Sequence, residues 1–285
     1  MNSSVIRNTI KAGFLLLALG FLANAQAQVI EILCTATEPC GQSTGTTADG
    51  TIFDAEANPS LPATGTGVFK PFVRIQDSSG TQSGYNTDTG NPAINFDTKA
   101  GIWTHSVLFG DLGTVDIGDL SYYQFSLDSN ESGRANSTAN LIDLLEMQIF
   151  IGGSDLMNPE DHGGYAGTQY DESPIGNTLA GINPTWTLDN ATNGDVTVTL
   201  QSSICDTNGQ CGSGKGDLNV FILESLLTGS PDDYFVFYTE YDRADSGFEE
   251  WRYLAKPAAV PEPGTLVLLA VCLLGLGFSR NRSRR

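Results

Sequence analysis

Histidine, basic residues and long apolar runs are all scarce in this chain, and each scarcity excludes something. Histidine occurs twice, at His105 and His162. Any Ser/His/Asp or Cys/His device would therefore have to use one of those two. Lys and Arg number 14 against 33 Asp and Glu, for a net charge of -19. Six of the 14 lie at the ends, as Arg7, Lys11, Arg280, Arg282, Arg284 and Arg285, so the middle is more acidic still. Nucleic acid and anionic lipid, which need a Lys/Arg patch, are excluded as partners. No apolar run reaches the roughly 18 residues that a stable membrane span requires. No helical period is sustained between the ends, and no internal repeat occurs, which argues against solenoids and propellers.

What is present reads as an exported β-protein. Gly numbers 32 and charged residues make up only 16%, with Thr, Ser, Asn and Asp between short apolar stretches, the composition of many strands joined by turns. Residues 1–27 have the build of a secretory signal peptide: Arg7 and Lys11, an apolar stretch from Ala12 to Ala23, and small-x-small cleavage sites at Ala23-Asn24-Ala25 and Ala25-Gln26-Ala27. Residues 28–66 are Thr/Gly-rich and predict loop, or an edge strand at most.

From residue 67 to 256 strands are predicted over 67–75, 102–109, 121–127, 146–152, 185–188, 195–200, 217–223, 233–241 and 248–254. Val196, Val198 and Leu200 alternate with Thr197 and Thr199, and Tyr123, Phe125 and Leu127 with Gln124 and Ser126. Tyr234 to Tyr238 is apolar on both faces, which predicts a central strand. A short helix or turn is expected at Ala139 to Leu145. The fold class expected is all-β, an antiparallel sandwich or jelly roll, with Asn193-Gly194 and Asn208-Gly209 as turns.

Cys34 and Cys40 are six apart, as are Cys205 and Cys211, while Cys272 lies in the C-terminal apolar run. In an oxidising compartment the first four predict two disulfides. Cys34–Cys40 with Cys205–Cys211 is the simplest of three connectivities.

The chemistry-bearing candidates are few. Calcium takes oxygen ligands in Gly-rich acidic loops, and the loop after Cys205 offers Asp206, Asn208 and Asp217; a second cluster is Asp128, Asn130 and Glu131 and a third Asp242, Asp245 and Glu249, none with the DxDxDG spacing. His162 lies beside Glu160 and Asp161, whereas His105 falls mid-strand. Trp103, Trp186 and Trp251 are either sugar platforms or core. Glycoside hydrolysis needs two suitably spaced carboxylates, and no pair stands out among 33. No catalytic residue is assigned, and no cofactor is expected beyond a candidate structural calcium.

Residues 257–285 have three parts in order. Val260-Pro261-Glu262-Pro263-Gly264 cannot continue a helix or a sheet. The apolar segment Thr265 to Phe278 is only about 14 residues, roughly 21 Å as a helix against a hydrocarbon core of about 30 Å. Arginines close it and hold that end in the cytoplasm. This tail resembles the PEP-CTERM sorting signal of Gram-negative bacteria, a label shared with the C-terminal domain of ice-binding proteins. Thr197 and Thr199 form one short pair without a repeat, so the ice-binding label describes the tail and not an activity.

The resemblance implies signal peptidase and an exosortase membrane protease as processing partners. It also implies Sec export, transient passage through the inner membrane, and delivery to the envelope surface or the extracellular polysaccharide matrix. The expected function is that of a non-enzymatic surface or matrix protein. A calcium-dependent carbohydrate-binding module and a secreted glycan hydrolase are the alternatives.

Overall fold

The computed structural model describes residues 27–33, 43–55, 70–76, 80–86, 98–99, 102–131, 141–153, 183–202, 216–244 and 247–257. In chain order its strands are β1 (Gln28–Ile32), β2 (Thr44–Thr46), β3 (Ile52–Ala55), β4 (Val73–Ile75), β5 (Gly80–Tyr85), β6 (Val107–Leu108) and β7 (Thr114–Ile117). There follow β8 (Leu120–Ser129), β9 (Leu141–Gly152), β10 (Trp186–Thr187), β11 (Val196–Gln201), β12 (Leu218–Leu223), β13 (Tyr234–Ala244) and β14 (Glu249–Tyr253). They build two seven-stranded sheets. Sheet A runs β1-β11-β9-β13-β5, with β10 beside β9 and β6 beside β13. Sheet B runs β2-β3-β12-β8-β14-β4, with β7 beside β8.

Alternation decides which face of each strand turns inward. Val196, Val198 and Leu200 are fully buried while Thr197 and Thr199 are only partly so. Tyr123, Phe125 and Leu127 likewise point between the sheets. Strand β13 lies between β9 and β5, and Phe235 to Thr239 are buried on both faces, as its unbroken apolar run predicts. The sheets meet through aromatic side chains. Phe125 of sheet B stacks on Phe235 of sheet A with centroids 5.6 Å apart, and Trp251 meets Phe237 edge-on at 4.9 Å. Each such side chain contributes about 1.5–3 kcal/mol by leaving water.

Four expectations change. Leu141 onward is not helix or turn but the first half of β9, because Ile142 and Leu144 alternate into the core opposite Leu200 and Val198. The sheets are not wholly antiparallel, since β1 pairs parallel with β11. Strand β3 takes an interior place between β2 and β12, with Phe53 and Ala55 buried, so residues before 67 do more than supply an edge. The stretch 102–106 is turn and loop, with strand only at β6 and a 3-10 turn over Phe109–Asp111. Strand β5 carries too weak an apolar pattern to be predicted; its sequence is GTQSGY. The signal peptide, the four cysteines, the Asn208-Gly209 turn, His162 and the whole tail from 258 lie outside the described residues.

The sandwich has two unlike ends. Strand β14 is antiparallel to β8, so it finishes where β8 begins, at the β7–β8 turn. The chain leaves the domain at this exit end. At the opposite end β8 finishes and β12 and β14 begin, and acidic side chains gather there.

Candidate functional site

Asp217, the one described residue of the first calcium cluster, lies just before β12 at the acidic end, where Asn130 and Glu131 of the second cluster and Glu249 of the third also come; Asp245 lies outside the described residues. It is buried, and its Oδ2 accepts hydrogen bonds from the backbone N–H and the hydroxyl of Ser129, both 2.9 Å. Asp206 and Asn208 lie outside the described residues. Around Asp217 the structure collects acids that are far apart in sequence. Asn130 Nδ2 donates to the carbonyl of Phe248 at 3.0 Å. The backbone N–H of Glu131 donates to Ser202 Oγ, which itself donates to the carbonyl of Ser129 at 2.7 Å.

Glu249 is wholly buried between the sheets, where its Oε2 accepts from Gln82 Nε2 of the facing sheet at 2.5 Å. Its other close partner is the carboxyl of Glu131, and the two hydrogen-bond each other. Burial, then the neighbouring Glu131 charge, pushes the Glu249 carboxyl well above its ordinary range. Two carboxyls in contact in a dry interior hold a proton between them, because both cannot ionise there. Among the described residues no group of three or more His, Cys, Asp or Glu is arranged to hold a metal ion.

A second acid, half-buried Glu146 on β9, is pushed up by desolvation and by Asp189. It accepts hydrogen bonds from the Met147 and Asp189 N–H groups and from Gln148. Burial raises Asp189 to about 6, while its Oδ1 accepts from the Val196 N–H at 2.7 Å. These carboxyls are held by the fold's own donors.

At the exit end one acid, Asp49, runs the other way. Asp49 is half-buried, and burial alone would raise its pKa. Four donors outweigh burial and lower it: Thr47 Oγ1 at 2.7 Å, Trp186 Nε1 at 2.9 Å, the Thr51 N–H at 3.0 Å and Asn193 Nδ2 at 3.0 Å. Nearby, a cavity of about 370 Å³ is lined by Phe109, Leu112, Tyr123, Glu224, Pro231 and Lys256. The Tyr123 phenol there is raised by burial and by Glu224.

The other sequence candidates fall apart in space. Trp251 is core, its indole N–H donating to the Tyr241 hydroxyl. Trp186 is also core and caps Asp49. Trp103 alone is near the surface, with the Arg74 guanidinium 5.8 Å from its ring centroid and 4.7 Å from that of Phe248. His105 Nδ1 lies 2.8 Å from the carbonyl of Ser106. Sequence reasoning missed Gln82 and Asp49, and it named Glu131 and Glu249 only in separate calcium clusters, because the two are too far apart in the chain to leave a local signal of their pairing.

Beyond the last described residue, Pro257, residues 259–283 match the family described as the PEP-CTERM protein-sorting motif. The chain carries a PEP-CTERM sorting motif. The motif marks an exosortase substrate destined for export to the cell surface or the extracellular space. No curated protein and no solved structure matches the chain significantly, so the sandwich borrows no activity from a relative.

Proposed function

We propose that the sandwich is the cargo of this motif: a non-enzymatic surface or matrix protein that contributes adhesion or structure among extracellular polysaccharides. It leaves the cytoplasm by the Sec route with loss of the leader at about residue 27, and is held briefly in the inner membrane by its C-terminal apolar segment. The observation that carries the reading is the junction itself. Domain hydrogen bonding continues to Lys256, whose N–H donates to the Asp111 carbonyl at 2.8 Å, and the motif match begins at residue 259. A folded β-body thus runs directly into a sorting address. The commitment of Asp49, Glu146 and Asp217 to internal donors supports a structural role for these acids. Replacing Pro261 and Pro263 with Ala is expected to leave full-length precursor in the membrane fraction; normal processing of that variant would sink the assignment.

A carbohydrate-binding module is the second reading, and one observation favours it. On the face of sheet B turned away from sheet A, Asp54, Asn219, Ser126 and Arg252 lie in register across four strands, but all except Asp54 are buried. A second row, Asp128, Glu250 and Arg74, ends beside Trp103 and Phe248. The part-exposed end of this second row, Glu250 and Arg74, suits the hydroxyls of a neutral glycan, and the half-buried Trp103 and Phe248 rings suit its apolar faces. Glycan-array binding that falls on Arg74→Ala, with or without added calcium, would establish this reading and its dependence on the ion.

A further inference from the structure

The exit end combines features that the rest of the described surface does not bring together. Leu254 donates its N–H to Gln124 and accepts from Gly113, and Lys256 bonds Asp111, so the last described residues lie against the stretch that opens the β7–β8 hairpin. At the hairpin tip, Ile117 and Leu120 are 37% and 53% exposed on either side of Gly118-Asp119. Asp116 and Asp119 stand exposed in the same hairpin, and Asp111, Glu224 and Asp232 stand exposed at the same end, beside the tail exit and the cavity. The cavity described above opens at the same end and includes Lys256 and Pro257 in its wall.

Chain length then limits what this end can face. Four residue steps separate Pro257 from Pro261, a reach of at most about 14 Å, and eight separate it from Thr265, at most about 28 Å. Whatever grips Pro261-Glu262-Pro263 must therefore work almost in contact with the exit end.

We propose that this end, through Ile117 and Leu120 and the exposed carboxylates it carries, is the surface on which the folded domain docks the membrane-embedded protease that reads the tail. The inference rests on the sorting assignment. Acidic surroundings repel an anionic lipid headgroup layer, whereas a protein offering an apolar patch with basic residues around it complements both parts. Docking of this kind raises the local concentration of the motif at the protease, so a weak contact is enough to change the processing rate.

The test follows processing of the full-length precursor in its own cells by pulse-chase. Ile117→Ser/Leu120→Ser is expected to lengthen the processing half-time about fivefold, the loss typical of an interface anchor, while the protease resistance of the exported domain stays unchanged. Asp119→Lys/Glu224→Lys, which leaves the apolar pair intact, is expected to slow processing in the same direction. Ile102→Ser, at a side chain 77% exposed away from this end, serves as the control and is expected to process normally. Wild-type processing of both exit-end variants, or equal slowing by Ile102→Ser, overturns the docking surface.

A photo-crosslinking amino acid at position 120, in precursor blocked by Pro261→Ala/Pro263→Ala, is expected to capture the protease; capture of lipid alone also overturns the proposal. If the blocked precursor is processed normally, the sorting assignment fails instead, which separates the two ideas.

Discussion

Asp49 at the exit end and Glu249 at the acidic end are shifted in opposite directions, and the number of donors each carboxyl meets explains the difference. Asp49, at the exit end, meets two hydroxyl or backbone donors on one oxygen and two side-chain N–H donors on the other, and stays ionised although half-buried. Glu249, at the acidic end, meets one amide and another acid, and its pKa is raised well above the ordinary range. Burial alone therefore does not set the charge of an interior acid; the donor count decides whether desolvation is offset. The exit end also carries the exposed Ile117 and Leu120, while the acidic end is tied by hydrogen bonds between the end of β8 and the residues that lead into β12 and β14.

Two glycines separate the ends most sharply. Gly247 has φ +84, and a Cβ there would overlap the backbone carbonyl of Asn130. Gly247→Ala is expected to cost about 4 kcal/mol, from strain plus overlap. Gly118, at the hairpin tip, has φ +63 with nothing within 4 Å of a built Cβ, so Gly118→Ala should cost only about 1 kcal/mol. Denaturant melts of the two variants check this, and equal losses would erase the distinction between a packed end and an open one.

Next in size is Asp49→Ala, expected to cost about 3 kcal/mol because it strands the buried Trp186 and Asn193 donors. The two acids should also divide the pH response. Asp49 has a lowered pKa in the folded state, so its contribution is present above its ordinary value of 3.8 and is lost as pH falls. Glu249 has a raised one: between its ordinary value of 4.5 and its folded value the native state binds more protons than the unfolded chain, so stability falls as pH rises through that window. Melting temperatures taken from acid to mildly alkaline pH should thus flatten on the alkaline side in Glu249→Gln and on the acid side in Asp49→Ala. A Glu249→Gln profile as steep as the wild type's would show that the Glu131–Glu249 pair carries no shared proton.

The smallest effect is expected at Arg243, which binds Asp143 through Nε at 2.6 Å and through its second nitrogen. The pair is partly exposed at 40% and 16%, so Arg243→Ala should cost about 0.5 kcal/mol, and less at high salt.

Alternation made β8, β11 and β13 legible, since a strand with one wet or two dry faces writes its period into its side chains. Strand β5 was illegible because Gly, Thr, Gln and Ser become interior only through what β13 and β14 place against them. Gln82, for example, is buried by Glu249, some 167 positions away. The opening of β9 misled for a related reason: Leu141 to Leu145 is equally apolar at helical and strand spacing, and pairing with β11 settles it. Of the candidate site, Asp217 was found as an acid but not in its role, because its partner Ser129 lies 88 residues earlier.

The sequence alone determined the destination and the class. A sorting motif is read by a protease as a linear string, and strand alternation is a local property, so neither needs the folded state. Tertiary structure decided everything that depends on distance across the chain: that Glu131 and Glu249 share an interior, that four donors converge on Asp49, and that the β7–β8 tip stands beside the point where the tail departs. Those contacts join residues from different sheets or distant strands, and only packing of the two sheets brings their atoms within a few ångströms.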